Sequence, residues 1–132
     1  MDAAFDSFLS LVLRNRTEAR NSADWLKHRD HVLVAFCVDG ELEPVQWILN
    51  EGANPMYYQN APLWNACENG HTEIVKLLLT HTSVVENAHK HNNRCLFAAQ
   101  RREYDDIEKI LLAIPAVAEG PSMRKWGYGL LD

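Results

Sequence analysis

The chain has 132 residues, 47% of them hydrophobic and 23% charged, with a net charge of −5. This length suits one domain of about 100–200 residues, and the ordinary apolar and charged fractions exclude a collagen-like, low-complexity or largely disordered chain. The acidic balance excludes a general nucleic-acid binder, because phosphate contacts need clustered Lys and Arg. It is also local: His31 to Ser83 holds six acidic residues against one basic, Lys76, while both flanks are balanced.

The first predicted element is a helix over Ala3–Arg14, where Phe5, Phe8, Leu9, Val12 and Leu13 fall at helical spacing. Residues Asn15–Asp24 are polar and aperiodic and read as a loop, with Ser22 placed to cap a short helix through Leu26. A pattern then recurs three times, as His31–Glu51, Ala61–His81 and Arg94–Ile114, at offsets of 30 and 33. Leu33, Leu63 and Leu96 coincide, as do Ile48-Leu49, Leu78-Leu79 and Leu111-Leu112. Cys37 falls on Cys67 and Gly40 on Gly70.

Each copy reads as two short helices. In the middle copy Pro62 suits a first helical position, and Leu63, Ala66 and Cys67 form an apolar face. Asn69-Gly70 stops that helix, since Gly adopts the left-handed conformation at little cost, and Thr72 can cap the next. Ile74, Val75, Leu77, Leu78 and Leu79 make the second helix apolar over most of its circumference. Such a helix must be covered on both sides, which stacked neighbours do. Leu78 and Leu111 are expected between layers. At the C-terminus, Gly127–Asp132 reads as the opening of a further repeat, with Leu131 lying 35 positions after Leu96. A chain cut from a longer protein, leaving Leu130 and Leu131 uncovered, is favoured over an irregular docked cap.

Three cysteines, Cys37, Cys67 and Cys95, build no disulfide framework, so a reducing compartment is the simpler reading. Cys37 and Cys67 fall one repeat apart, about 10 Å, beyond the roughly 7 Å a disulfide spans. Met1–Asp6 is acidic and precedes no uninterrupted apolar stretch, so no secretory signal is read, and no apolar run approaches the ~18 residues of a membrane span. Phosphate-loop, nucleophile-elbow and zincin signatures are absent. Asp105-Asp106 reads as the acidic start of a helix, where it complements the dipole. His89, His91 and Cys95 have no fourth zinc ligand near in sequence. No catalytic residue, metal or cofactor is expected.

The middle copy resembles the ankyrin repeat, whose pattern is roughly TPLHxAxxxGHxEIVKLLLxxGADVN. Here Ala61-Pro62-Leu63-Trp64 precedes Gly70-His71-Thr72-Glu73-Ile74-Val75-Lys76-Leu77-Leu78-Leu79. The first copy supplies Gly40, Glu43 and Gly52-Ala53-Asn54, which is similar to the family's GAD turn. The third copy departs, with Glu103 at the glycine position and Ile114-Pro115 at the turn; the middle copy has Thr82-Ser83 there. The resemblance spans about Lys27 to Ile114. It implies an all-α ankyrin-repeat solenoid of stacked helix pairs with an N-terminal helical cap. Cap and loop take residues 1–26, three repeats take about 27–55, 56–88 and 89–114, and a linker with the start of a candidate fourth repeat takes 115–132. At the family's alanine position, Cys37 and Cys67 are small buried fillers. Cys95, at the proline position, is expected to be more exposed.

The resemblance also implies a function: non-enzymatic recognition of another protein through the concave face. A monomer without cofactor, nucleic acid or membrane span is expected, in the cytoplasm or another reducing intracellular compartment. The alternative is the targeting arm of a larger enzyme or secreted effector whose catalytic domain lies beyond Asp132; a bacterial effector would act in the host cytosol. Carried over position by position, the tips of the family's hairpin fingers fall on Lys27-His28, Tyr57-Tyr58, Lys90-His91 and Lys125-Trp126, with Asp30, Asn60, Asn93 and Tyr128 just beyond. The first-helix surface pairs are Val38-Asp39, Glu68-Asn69 and Arg101-Arg102. The expected partner contacts are Tyr57, Tyr58, Asn60, Glu68, Asn69, Lys90, His91, Arg101, Arg102, Lys125 and Trp126. The tyrosines stand at the centre, because aromatics and Arg dominate binding hot spots, although one of two adjacent rings often folds back. Charge on this face is expected to grade from Asp39 and Glu68 to Arg101 and Arg102.

Overall fold

A computed structural model describes residues 2–123, which hold ten helices and no strand. Helix α1 (Ala3–Arg14) begins where the Asp2 carboxylate accepts from the amides of Ala4 and Phe5. Phe8 and Val12 form its buried stripe, flanked by half-buried Phe5, Leu9 and Leu11. Leu13, one position past Val12, is rotated out of that stripe and stands 70% exposed.

Two expectations for the N-terminal segment are corrected. Where a loop was read, helix α2 (Arg16–Arg20) forms, capped by the Asn15 side chain. Of its residues only Ala19 is buried, and two arginines also hold it. Arg16 donates to both Glu43 carboxylate oxygens at 2.8 and 2.7 Å and lies 4.8 Å over the Trp47 ring. Arg20 reaches Glu51 at 2.7 Å and lies 5.6 Å from Trp25. The bond to Arg16 holds the Glu43 carboxyl below its usual range. Glu43 is open to solvent, so that ion pair contributes little, and stacking on the indoles adds a contribution of similar size. Helix α3 (Trp25–Asp39) then runs unbroken through Leu26, and Ser22 only accepts a local bond from the Asp24 amide. Lys27-His28 is therefore no finger tip. Trp25 and His28 are buried against Phe8, at 6.3 and 5.5 Å between ring centres, and this face continues into Val32 and Phe36.

The rest stacks as two layers. An inner layer runs α3, α5 (Tyr57–Glu68), α8 (Lys90–Arg101), and an outer layer runs α4 (Leu42–Asn50), α6 (Thr72–Leu78), α9 (Asp105–Leu112). Leu33, Leu63 and Leu96 line the inner core, and Ile48, Leu78 and Leu111 the outer, all at most 1% exposed. Gly40 and Gly70 break the helix pairs at φ 80° and 76°. Each also lies under a ring of the next repeat, His71 and Tyr104 respectively, and a Cβ on Gly70 would meet Tyr104 at 2.8 Å. Backbone and space thus both demand glycine there. Glu103 adopts the same left-handed geometry without it, at φ 59°. His71, not Thr72, occupies the N-cap position of α6, and its Nε2 lies 2.9 Å from the Val38 carbonyl.

The family turn survives only in the first repeat, where Gly52 has φ 101°. In the other two, short helices α7 (Thr82–Glu86) and α10 (Pro115–Glu119) take its place, each burying one valine, Val84 or Val117. The expected hairpin fingers are instead left-handed turns. Tyr58-Gln59-Asn60 has φ 51°, 58° and 64°, and His91-Asn92-Asn93 has 56°, 56° and 60°. A left-handed residue costs roughly 1–2 kcal/mol, less for Asn, so these turns need anchors. Asn60 Nδ2 donates to the Val84 carbonyl at 3.2 Å; Asn93 Nδ2 donates to Val117 at 2.8 Å and to Pro121 at 2.9 Å. Asn60, expected as a partner contact, is only 4% exposed and ties its finger to α7. In the first repeat Asp30 does the converse, accepting from the Asn54 amide at 2.7 Å.

Asn93→Ala should lower unfolding free energy by about 2–3 kcal/mol, from two lost bonds near 1 kcal/mol each plus added backbone strain. Asn93→Gly should cost less, because glycine removes the strain share. Equal losses in urea unfolding would mean that the left-handed turn is not strained. Beyond α10 the chain returns to α8, where Gln100 Oε1 accepts from the Met123 amide at 2.9 Å. The expectations for Lys125, Trp126, Tyr128, Leu130 and Leu131 lie outside the described residues.

Candidate partner-binding face

The inner helices and the finger turns share one face. Tyr57 and Tyr58 diverge on it, because Tyr58 opens the left-handed turn. Tyr57 is half-buried, its ring 5.5 Å from His31, which in turn lies 5.3 Å from Phe5. Tyr58 is 74% exposed. Of the two adjacent rings, Tyr57 therefore packs back and Tyr58 projects.

Six residues outside the expected set complete the surroundings of Tyr58. Trp64 and Arg94 are half-buried, with the guanidinium 5.2 Å over the indole. Arg94 Nη2 also donates to the Gln59 carbonyl at 2.6 Å, clipping the first finger to α8. With His31, Val34, Ala61, Asn65 and the two tyrosines they enclose a hollow of about 260 Å³. That is below the roughly 300–1,000 Å³ of small-molecule sites and suits a side chain of a partner. Trp64 carried a signal in the sequence, since the family pattern has His there. Arg94 carried one too, seven residues before Arg101 on the same helix face.

The remaining expected contacts separate by environment. Lys90 and His91 are exposed on the second finger, where Met56, Gln59 and Asn87 join them around a hollow of about 270 Å³. Asn69 is exposed and donates to the Asn65 carbonyl at 2.8 Å. Glu68 is not a free negative pole. Its side chain is 17% exposed and accepts from Arg101 at 2.6 and 2.8 Å and from Arg102 at 3.0 Å. Glu68 thus joins Arg101 and Arg102 in one cluster with a net positive charge, while Asp39 stays exposed at the other end of the expected gradient.

Cys95 is buried, contrary to its expected exposure, because it faces α5 from within the inner layer. The cysteines are free and buried. A hydrogen bond with Cys95, then burial, pushes the Cys67 thiol well above its ordinary range; burial alone pushes Cys37 up to about 12. Neither can supply a thiolate near neutrality. His91 is exposed while Cys95 is buried, so the His-Cys motif does not converge. Among the described residues no group of three or more His, Cys, Asp or Glu could hold a metal ion, and no helix is long and apolar enough to cross a membrane. Asp105 and Asp106 lie in the first turn of α9.

A family model described as ankyrin repeats in three copies matches residues 7–119. Comparisons with curated proteins and with solved structures gave no match. Ankyrin repeats are generally modules of protein–protein interaction and are typically non-catalytic. The matched span takes in most of α1 and all of α10 as well as the helix pairs between them. On that match and this stack, the chain belongs to the ankyrin-repeat family.

Proposed function

We propose that the chain is a non-enzymatic recognition module that binds another protein through its concave face, formed by α3, α5, α8 and the finger turns. The observation that carries this reading is Tyr58, 74% exposed at the mouth of the hollow. Single exposed apolar residues are ordinary. This one sits on a finger held at two points, by Asn60 to α7 and by Arg94 to α8. A rigid aromatic contributes contact area at little entropic cost on binding. Tyr57 and Trp64 form the walls, while Lys90, His91, Asn69, Arg101 and Arg102 supply the polar rim. The free, buried thiols support work in a reducing compartment. The net acidic chain supports a protein partner over nucleic acid, bound by a monomer.

Tyr58→Ala should weaken partner affinity by about 2 kcal/mol, roughly 30-fold. The unfolding midpoint should not move, because the ring is exposed. Lys90→Ala should cost less and act mainly on association rate and salt dependence. Titration calorimetry beside thermal unfolding makes this contrast. Unchanged affinity in Tyr58→Ala, with loss in Leu13→Asp on the N-terminal cap, would place recognition there instead.

A further inference from the structure

We propose that the hollow beside Tyr58 receives an apolar side chain of an extended peptide and that Arg94 pairs with the carboxylate of an adjacent Asp or Glu. The partner segment is therefore acidic. This rests on the concave-face reading and names the chemistry of its partner.

Arg94 carries the argument. A guanidinium has five N–H donors, and the Gln59 carbonyl takes one. Its flat face is spent on Trp64. Among the described residues no carboxylate lies within ion-pair distance of it. A half-buried cation with open donors at the wall of a hollow is complementary to a carboxylate, which it can bind in bidentate fashion. Aromatic walls alone would also suit a cationic side chain. Here Arg94 already occupies the indole face, and its charge repels a second cation.

The surroundings point the same way. Arg101 and Arg102 share the single carboxylate of Glu68, leaving one positive charge in excess. Lys90 adds another on the neighbouring finger. Around the hollow and its neighbouring helix ends, Arg94, Arg101, Arg102 and Lys90 thus carry four positive charges against the one negative charge of Glu68. Such a patch steers an acidic partner and rejects a basic one. Arg94 and Arg101 are two helical turns apart, about 10 Å. An extended strand covers that distance in about three residues, at roughly 3.3 Å each. The preferred segment therefore carries an acidic residue beside an apolar one and a second acidic residue three positions along.

The test presents a random-sequence peptide library to the full chain. Enrichment of Asp or Glu beside an aromatic or aliphatic residue is the expected result. A synthetic peptide of the enriched sequence should lose about ten- to a hundredfold in affinity when its Asp is changed to Asn. That arm leaves the protein untouched, so it stands even if Arg94→Gln loosens the finger. Arg94→Gln should show a similar loss, and the two changes together should lose little more than either alone. Enriched peptides without acidic residues, or an Asn peptide bound as tightly, overturn the proposal. If those peptides still lose binding in Tyr58→Ala, the acidic chemistry fails and the concave-face reading stands. If they do not, both fail. Displacement of the peptide by a random single-stranded oligonucleotide that binds more tightly overturns it in favour of phosphate recognition.

Discussion

Leu78→Ala should lower the unfolding free energy by about 2–5 kcal/mol in urea denaturation, from the lost transfer energy plus the cavity left behind. Leu78 is fully buried in α6, between Ile48 of α4 and Leu111 of α9 in the same column. Collapse around the cavity is limited, because α4 and α9 are each fixed by their own inner helices. A solenoid repeat touches only its neighbours, so weakening the middle one loosens the interfaces on both sides of it. Against a total of about 5–15 kcal/mol, this is a large share. A loss under about 1 kcal/mol would mean that the second helix of the middle repeat faces solvent.

Stability should fall steeply as pH rises from about 9 toward 12. The Cys37 thiol has an ordinary value of 9.0 and is pushed up to about 12 by burial. Between those values the folded chain keeps a proton that the unfolded chain has released. Unfolding is then favoured by rising pH, and the contribution is complete below about 9 and gone above about 12. The gap corresponds to about 4 kcal/mol. Cys67 acts in the same direction, because the bond with Cys95 and burial also raise its thiol. Cys37→Ala isolates the first part. Its unfolding free energy, followed from pH 8 to 12, should fall less steeply than that of the natural chain. Parallel curves would show that the Cys37 thiol ionises as freely folded as unfolded.

The proposed recognition face was legible where the repeat pattern places residues one by one. Tyr57, Tyr58, Lys90 and His91 fall on the finger turns, and Tyr58 and Lys90 stand exposed there. The pattern failed at Asn60, because the fingers are left-handed turns held by side-chain amides and not hairpins. It also missed Arg94, whose role depends on Trp64 and on Gln59 of the preceding repeat.

The division has one physical cause. Apolar spacing at 3.6 residues and a period of 30 to 33 are local, repeated signals. They sufficed for α1, the helix pairs, the columns through Leu63 and Leu78, and the breaks at Gly40 and Gly70. Helix α2 has no apolar stripe beyond buried Ala19 and is tied down by Arg16 and Arg20 stacking on Trp47 and Trp25. The finger turns depend on amide bonds that reach 24 residues along the chain, and the charge of the face on Glu68 meeting Arg101 at a separation of 33. Single polar bonds at such separations leave no periodic trace, so only the stacked tertiary structure could decide them.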